Sequence, residues 1–142
     1  MGLILDTSIL IAAEKKRLDL AALFAAYNGE TFAIAAITAA ELLHGVERAK
    51  PAGRKKSRSE FVERVLTELE IIDFDFSVAQ RHAKIWAALE SAGKVIGAYD
   101  MLIAATTLHY DFRLATLNIA EFRQVPDLHL VDIGDYLAPK VS

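Results

Sequence analysis

The chain has 142 residues, of which 54% are hydrophobic, contains no cysteine and carries a formal net charge of −3. This length is sufficient for one domain with its own core, and the lack of cysteine excludes disulfides and thiolate metal sites. The apolar runs are far shorter than the ~20 residues that cross a bilayer, and the first residues lack the basic segment of a signal peptide. We therefore expect a single domain over residues 1–142, with no membrane association and a cytoplasmic location.

Short apolar runs alternate with segments of helical periodicity along the chain. The predicted strands cover residues 3–5, 31–37, 71–74, 113–116 and 128–133. The predicted helices cover residues 7–16, 18–24, 38–46, 61–69, 77–92, 100–108 and 118–122. Strands that alternate with helices in this way predict the α/β class, with a mainly parallel central sheet flanked by helices on both faces.

Capping residues and a charged segment mark several of the predicted helix ends. Thr38 precedes Glu41 at the capping-box spacing, and Ser77 is expected to cap the helix that follows it. Residues 48–69 combine a Pro-Ala-Gly break, a basic run and an apolar stripe, which predicts a helical arm with a polar elbow. Residues 48–64 contain seven basic and two acidic residues. Either a solvated helix face or a nucleic-acid contact accounts for this charge.

Three acidic residues stand at predicted junctions between strands and helices. Asp6 ends the first strand, Glu41 lies in the first turn of the helix after the second strand, and Asp100 opens a nearly all-apolar helix. Since ligands of such sheets gather at the carboxyl ends of the strands, we expect these carboxylates to lie together. Clustered acids without basic neighbours favour a hard cation such as Mg²⁺ or Mn²⁺. Helix capping is the alternative role for each of them.

The segments around these acids resemble the motifs of PIN-domain nucleases, and above all those of the VapC ribonuclease toxins of toxin–antitoxin pairs. They read Leu-Asp-Thr-Ser at residues 5–8, Thr-Ala-Ala-Glu-Leu-Leu-His-Gly at 38–45, Ala-Tyr-Asp-Met-Leu-Ile-Ala-Ala at 98–105 and Leu-Ala-Thr-Leu-Asn-Ile-Ala-Glu-Phe at 114–122. All four motifs occur in order and span nearly the whole chain. The resemblance implies a PIN-like three-layer sandwich that carries the helical arm around residues 48–69.

The same resemblance implies a set of site residues and a reaction. By position, Asp6, Glu41 and Asp100 would hold a catalytic Mg²⁺ (or Mn²⁺). Thr116 would support these carboxylates by hydrogen bonding, as would Thr7 or Ser8. The implied reaction is hydrolysis of RNA phosphodiesters, in which the metal polarises the phosphate and acidifies a water.

Asn118 stands where many members of the family carry a fourth acid. Asparagine is neutral, but it still offers a carbonyl oxygen or can orient a water. Glu121, one helical turn further on, is a candidate substitute, although its position favours a solvated surface acid. This departure leaves open whether one or two metal ions bind, and it supports a competing interpretation, a PIN-like module that binds RNA or a protein without cleaving.

Partners also follow from the resemblance, namely an RNA substrate, a cognate VapB-like antitoxin, and a second copy in a homodimer or a larger toxin–antitoxin assembly. The predicted RNA contacts are the basic residues at the start of the arm: Arg48, Lys50, Arg54, Lys55, Lys56 and Arg58. These would hold the phosphate backbone by charge. A phospho-acceptor signalling domain, which also uses acids at strand ends, is not supported because Asp6 has no acidic neighbour.

Overall fold

The computed structural model describes residues 2–138 of the chain. Within these residues a four-stranded sheet is built from β1 (Gly2–Leu5), β2 (Thr31–Ala35), β3 (Glu70–Ile72) and β4 (Arg113–Ala115). All strand pairs are parallel, and the order is β3-β2-β1-β4, with Leu3 of β1 paired to Phe32 and Arg113. The predicted α/β class with a parallel central sheet is confirmed.

Helices connect the strands and cover both faces of the sheet. They are α1 (Thr7–Glu14), α2 (Leu20–Ala26), α3 (Ala36–Arg48), α4 (Ala52–Glu68), α5 (Phe76–Ser91), α6 (Ala98–His109) and α7 (Ile119–Phe122), followed by a 3-10 turn (Gly134–Tyr136). The predicted arm consists of the end of α3, the residues 49–51 and α4, so that the basic run lies within α4 instead of in the elbow. None of the helices in the described part of the chain combines the length and apolarity needed to span a membrane.

Side chains of the central strands alternate between two hydrophobic cores. Leu3 and Leu5 of β1 are buried in the first core, which α1, α2, α3 and α4 complete, whereas Ile4 is buried in the second core with α5, α6 and α7. This division follows from the period of two along a strand. Because both faces of β1 are covered, its sequence is apolar without interruption. The result is the predicted three-layer sandwich.

The start of α3 differs from the prediction. The helix begins at Ala36, directly after β2, so Thr38 is its third residue and Glu41 lies in its second turn. The predicted capping box is therefore wrong. The reason for the difference is that Ala35 has an extended backbone and is followed directly by Ala36, which favours a helix. No loop separates β2 from α3, so the helix begins without a capping side chain.

Two other local predictions are wrong. α5 is capped by Asp75, whose carboxylate accepts the Val78 N–H at 3.0 Å, and not by Ser77. The Tyr110 hydroxyl donates to the same carboxylate at 2.8 Å. Asp75 and Ser77 are both eligible capping residues, and this tertiary contact favours Asp75. The predicted strand over residues 128–133 is a single parallel bridge between Leu114 and Leu130.

Candidate active site

The carboxyl edge of β1, β2 and β4 brings four acidic residues together. Asp6 follows β1, Glu41 lies in α3, Asp100 is in the first turn of α6, and Glu121 is in α7. The negative charges of Asp6, Glu41 and Glu121 all act on Asp100. The structure therefore places the three acids that the sequence singled out in one cluster, and it adds Glu121.

Asp6 is buried and is oriented by two hydroxyl groups. Thr116 Oγ1 donates to Asp6 Oδ2 at 2.6 Å, and Ser8 Oγ donates to the same oxygen at 2.7 Å. These hydroxyls are themselves fixed, because Thr116 Oγ1 accepts the Asn118 N–H and Ser8 Oγ accepts the Leu117 N–H, both at 3.0 Å. Within residues 2–138 no hydrogen bond reaches Asp6 Oδ1, so this oxygen is available to a ligand.

Glu41 is oriented by a buried pair of threonines. Thr7 Oγ1 donates to Glu41 Oε1 at 2.8 Å and lies 3.1 Å from Thr38 Oγ1. Both threonines are buried. Thr7 therefore does support the acidic cluster by hydrogen bonding. Thr38, expected as a helix cap, contributes to the same network from inside α3.

Asp100 and Glu121 form the other half of the cluster, where the interaction of the two carboxyl groups raises the pKa of Asp100. Glu121 Oε1 accepts the Gly97 N–H at 2.5 Å. A Cβ at Gly97 would lie 3.4 Å from Glu121 Oε1 and 3.7 Å from Asp100 Oδ2, at ordinary contact distance, so the backbone at Gly97 passes close to both acids. Glu121 is half-buried, and its interpretation as a solvated surface acid is wrong because α7 folds back against the loop before α6.

Burial raises the pKa of Asp100 from its ordinary value of 3.8 to about 7. The hydrogen bond with Glu121 and the charges of Asp6, Glu121 and Glu41 act in the same direction. The ion pairs found in residues 2–138 include none of these four acids. Acids that repel one another in this way form a donor set suited to a hard divalent cation.

The carboxylates are not arranged as a finished coordination shell. Among the described residues no three metal-binding side chains stand together as one ion would require. Asp100 is instead engaged with Glu121, while Asp6 and Glu41 are held by separate hydroxyl pairs. Binding of an ion would therefore replace the contact between Asp100 and Glu121 by contacts of each carboxylate with the cation, and the donor set fits such an ion chemically.

Asn118 contributes to the site through its backbone. Its side chain is exposed and makes no capping bond at the start of α7. Its N–H donates to Thr116, as described above. The fourth acid of this cluster is thus supplied three residues later, by Glu121.

Most of the basic residues predicted to contact RNA are exposed. They are Arg48, Lys50, Arg54, Lys55 and Lys56. Arg58 differs, since its half-buried guanidinium donates from Nε to Glu14 at 3.2 Å and from Nη1 to the Gly45 carbonyl at 3.5 Å. It thereby joins α4 to α1 and α3. A groove between these three helices is lined by Arg48 and Glu41 among others, so the basic arm adjoins the acidic cluster.

Comparison with known proteins identifies the family. The PIN domain family matches residues 3–128. Ribonuclease VapC of Rickettsia bellii is 34% identical over 133 residues, which cover 94% of this chain and 97% of that protein. The chain belongs to the PIN-domain family of VapC ribonucleases. The tRNA(fMet)-specific endonuclease VapC of Salmonella typhimurium is 30% identical over 105 residues, which cover 74% of this chain and 77% of that protein.

Solved structures of PIN-domain proteins share the fold. VapBC2 from Rickettsia felis, bound to a DNA fragment from their promoter, aligns with a TM-score of 0.84 and 33% identity over 92% of this chain and 98% of that chain. The family and the ribonuclease class implied by the four sequence motifs are confirmed. The acidic cluster consequently belongs to a nuclease fold.

Proposed function

We propose that this protein is a Mg²⁺- or Mn²⁺-dependent endoribonuclease whose metal is held by Asp6, Glu41, Asp100 and Glu121. The observation that carries the proposal is the cluster of four carboxylates at one sheet edge, without a basic partner in the described residues. A donor set made only of oxygen atoms suits these hard cations. Asn118 favoured a non-cleaving module, and Glu121 weakens that argument because it provides a fourth acid.

The protein's own residues have separate roles in this proposal. When bound, the cation supplies polarisation of the scissile phosphate and a more acidic water. Ser8 and Thr116 hold Asp6 in one orientation, and Thr7 does the same for Glu41. Glu41 completes the acidic shell or accepts the proton that the attacking water loses. Preorganised carboxylates of this kind need little rearrangement during the reaction.

The exposed cations of the arm provide the proposed RNA contacts. Arg48 lines the groove that also contains Glu41, and the cations of α4 extend this surface. Such contacts hold the phosphate backbone without reading its sequence. Arg58 is left out of this set, since its charge is already paired with Glu14.

The relatives indicate a substrate and a protein partner to test. Two of them are named tRNA(fMet)-specific endonucleases, so tRNA(fMet) is our first candidate substrate. Structural relatives are complexes such as VapBC2 from Rickettsia felis and VapBC-1 from nontypeable Haemophilus influenzae. We extend this to a VapB-like antitoxin that inhibits this protein by covering the acidic cluster, within a homodimeric or larger assembly.

Asp6→Asn tests the metal site, because asparagine keeps the size of the side chain and removes its charge. With tRNA(fMet) and Mg²⁺, we expect the wild type to cleave, EDTA to stop cleavage, and excess Mn²⁺ or Mg²⁺ to restore it. D6N should fold normally and lose cleavage by about 1000-fold, which corresponds to the several kcal/mol that metal catalysis supplies. Asp73→Asn, at an exposed position, is the matched control.

Either of two results would contradict the metal site: cleavage by D6N at the wild-type rate, or cleavage that persists in EDTA. A wild type that binds tRNA without cutting any RNA in a broader panel would support the non-cleaving module instead.

A further inference from the structure

A second group of basic residues lies at the end of α1. Lys15, Lys16 and Arg17 follow α1, are exposed, and line an open cleft. Ser8 and Asn118 line the same cleft. Ser8 Oγ donates to Asp6 at 2.7 Å, so one residue of the cleft is in direct contact with the acidic cluster. We call Lys15, Lys16 and Arg17 the α1 cations.

The α1 cations have no partner in the fold itself. Among the described residues, no carboxylate lies within the 4.0 Å that defines an ion pair from any of them. Arg58, on the other side of α1, has such a partner in Glu14. The three charges of the α1 cations are thus available to a polyanion.

The backbone beneath these charges is fixed. Lys16 has a left-handed φ of 59°, at a helix end where glycine or asparagine is usual, so its backbone adopts a conformation that is unfavourable for lysine. The Arg17 carbonyl accepts the Ala138 N–H at 2.8 Å, and Leu18 forms an antiparallel bridge with Leu137. Charges on an anchored segment are pre-positioned for a ligand.

We propose that the α1 cations form a second phosphate-binding surface, which continues the basic surface of the arm past the acidic cluster and holds a further stretch of the RNA. This inference rests on the proposed function. Lys15 lines both the groove that contains Glu41 and Arg48 and the cleft that contains Ser8. The α1 cations therefore connect the arm to the side of the cluster where Ser8 holds Asp6.

The charge distribution supports RNA as the occupant. An acidic cluster repels a polyanion, and cations beside the cluster offset this repulsion and hold the strand next to it. The cleft also contains the exposed side chains of Leu117 and Leu137, but apolar contacts alone would not require three unpaired cations. A protein occupant is an outcome that the experiment below distinguishes.

The test is the salt dependence of RNA binding, measured by fluorescence anisotropy with a labelled 20-nucleotide oligouridylate in the D6N background, where no cleavage intervenes. The variant K15Q/K16N/R17Q removes the α1 cations and keeps a residue at position 16 that tolerates the left-handed conformation. The control variant R81Q/K84Q/K94Q removes three exposed charges from α5 and the loop that follows it, in the opposite layer. A third variant, R48Q/R54Q/K56Q, removes charges of the arm.

We expect the slope of log K against log[KCl] to become shallower by about 1.4–2.1 in the α1 variant, since each lost contact with a single strand contributes about 0.7. The control should leave the slope unchanged, whereas the arm variant should also make it shallower. If the triple variant unfolds, K16N alone should still make the slope shallower by about 0.7.

An unchanged slope in a folded α1 variant would overturn the proposal. So would unchanged RNA binding with weakened binding of a purified VapB-like antitoxin, which would make the cleft a protein surface. Failure of the proposed cleavage chemistry is a separate result, because it would show in the tRNA(fMet) assay and leave the binding slopes intact.

Discussion

Asp100→Asn should stabilise the metal-free protein at neutral and alkaline pH while it removes a proposed metal ligand. An aspartate whose pKa is raised by folding contributes stability in its protonated form. That contribution is complete below the ordinary pKa of 3.8 and is lost as the pH rises through about 7. Asparagine has no such loss, since it cannot ionise, and its amide can donate to Glu121.

The size of the effect follows from the pKa. A rise from 3.8 to about 7 corresponds to about 4 kcal/mol, at about 1.4 kcal/mol for each pH unit. Asp100 is only partly buried, so solvent screening reduces the expected gain in the free energy of unfolding to about 1–2 kcal/mol. For a chain of this size, that gain raises Tm by about 3–6 °C.

Thermal unfolding in EDTA between pH 4 and pH 9 measures this gain. The advantage of D100N over the wild type should grow from pH 4 to about pH 7 and then level off. Asp73→Asn, at an exposed position, should show no such growth. A D100N protein that is less stable than the wild type at pH 8, or an advantage that does not depend on pH, would refute the electrostatic reasoning.

Three further predictions concern single side chains. Glu121→Gln should weaken Mg²⁺ binding, measured by calorimetry, at least about tenfold. Asn118→Ala, which keeps the backbone N–H, should have little effect on Mg²⁺ binding. If Asn118→Ala weakened binding more than Glu121→Gln, Asn118 and not Glu121 would be the fourth metal-binding side chain. Thr116→Val removes a hydroxyl that holds Asp6, so it should lower the cleavage rate about 10–100-fold. Thr107 donates to the Ile103 carbonyl of its own helix, and Thr107→Val should leave the specific activity of the folded protein unchanged. Arg58→Gln should lower the free energy of unfolding in urea by about 1 kcal/mol through loss of the Glu14 pair and leave the RNA salt slope unchanged; a shallower slope would make Arg58 an RNA contact.

The sequence was sufficient for the order of elements and for the meeting of three acids. Alternating apolar runs specify a parallel sheet, and in such a sheet the carboxyl ends of β1 and β2 share one edge. The placement of Asp6 and Glu41 at this edge follows from the rule, without knowledge of any side-chain contact. α6 follows α5 and not a strand, so the expected place of Asp100 depended also on the resemblance of residues 98–105 to a PIN motif.

Glu121 could not be placed in the same way. Its position in the cluster depends on the Gly97 N–H, which lies 24 residues away in the chain, and no local periodicity reports such a contact. The pairing of Arg58 with Glu14, 44 residues apart, is missed for the same reason. The capping residue of α5 was misassigned because Asp75 and Ser77 are both eligible caps, and the hydroxyl of Tyr110 that contacts Asp75 comes from the end of a different helix.

The hydroxyl contacts of Asp6 have a mechanical consequence. Ser8, in α1, and Thr116, directly after β4, both donate to Asp6 Oδ2, so the orientation of one carboxylate depends on two segments that are 108 residues apart in the chain. Because close-packed interiors transmit strain, a displacement of either segment would reach Asp6 even if it began at a residue that touches none of the acids.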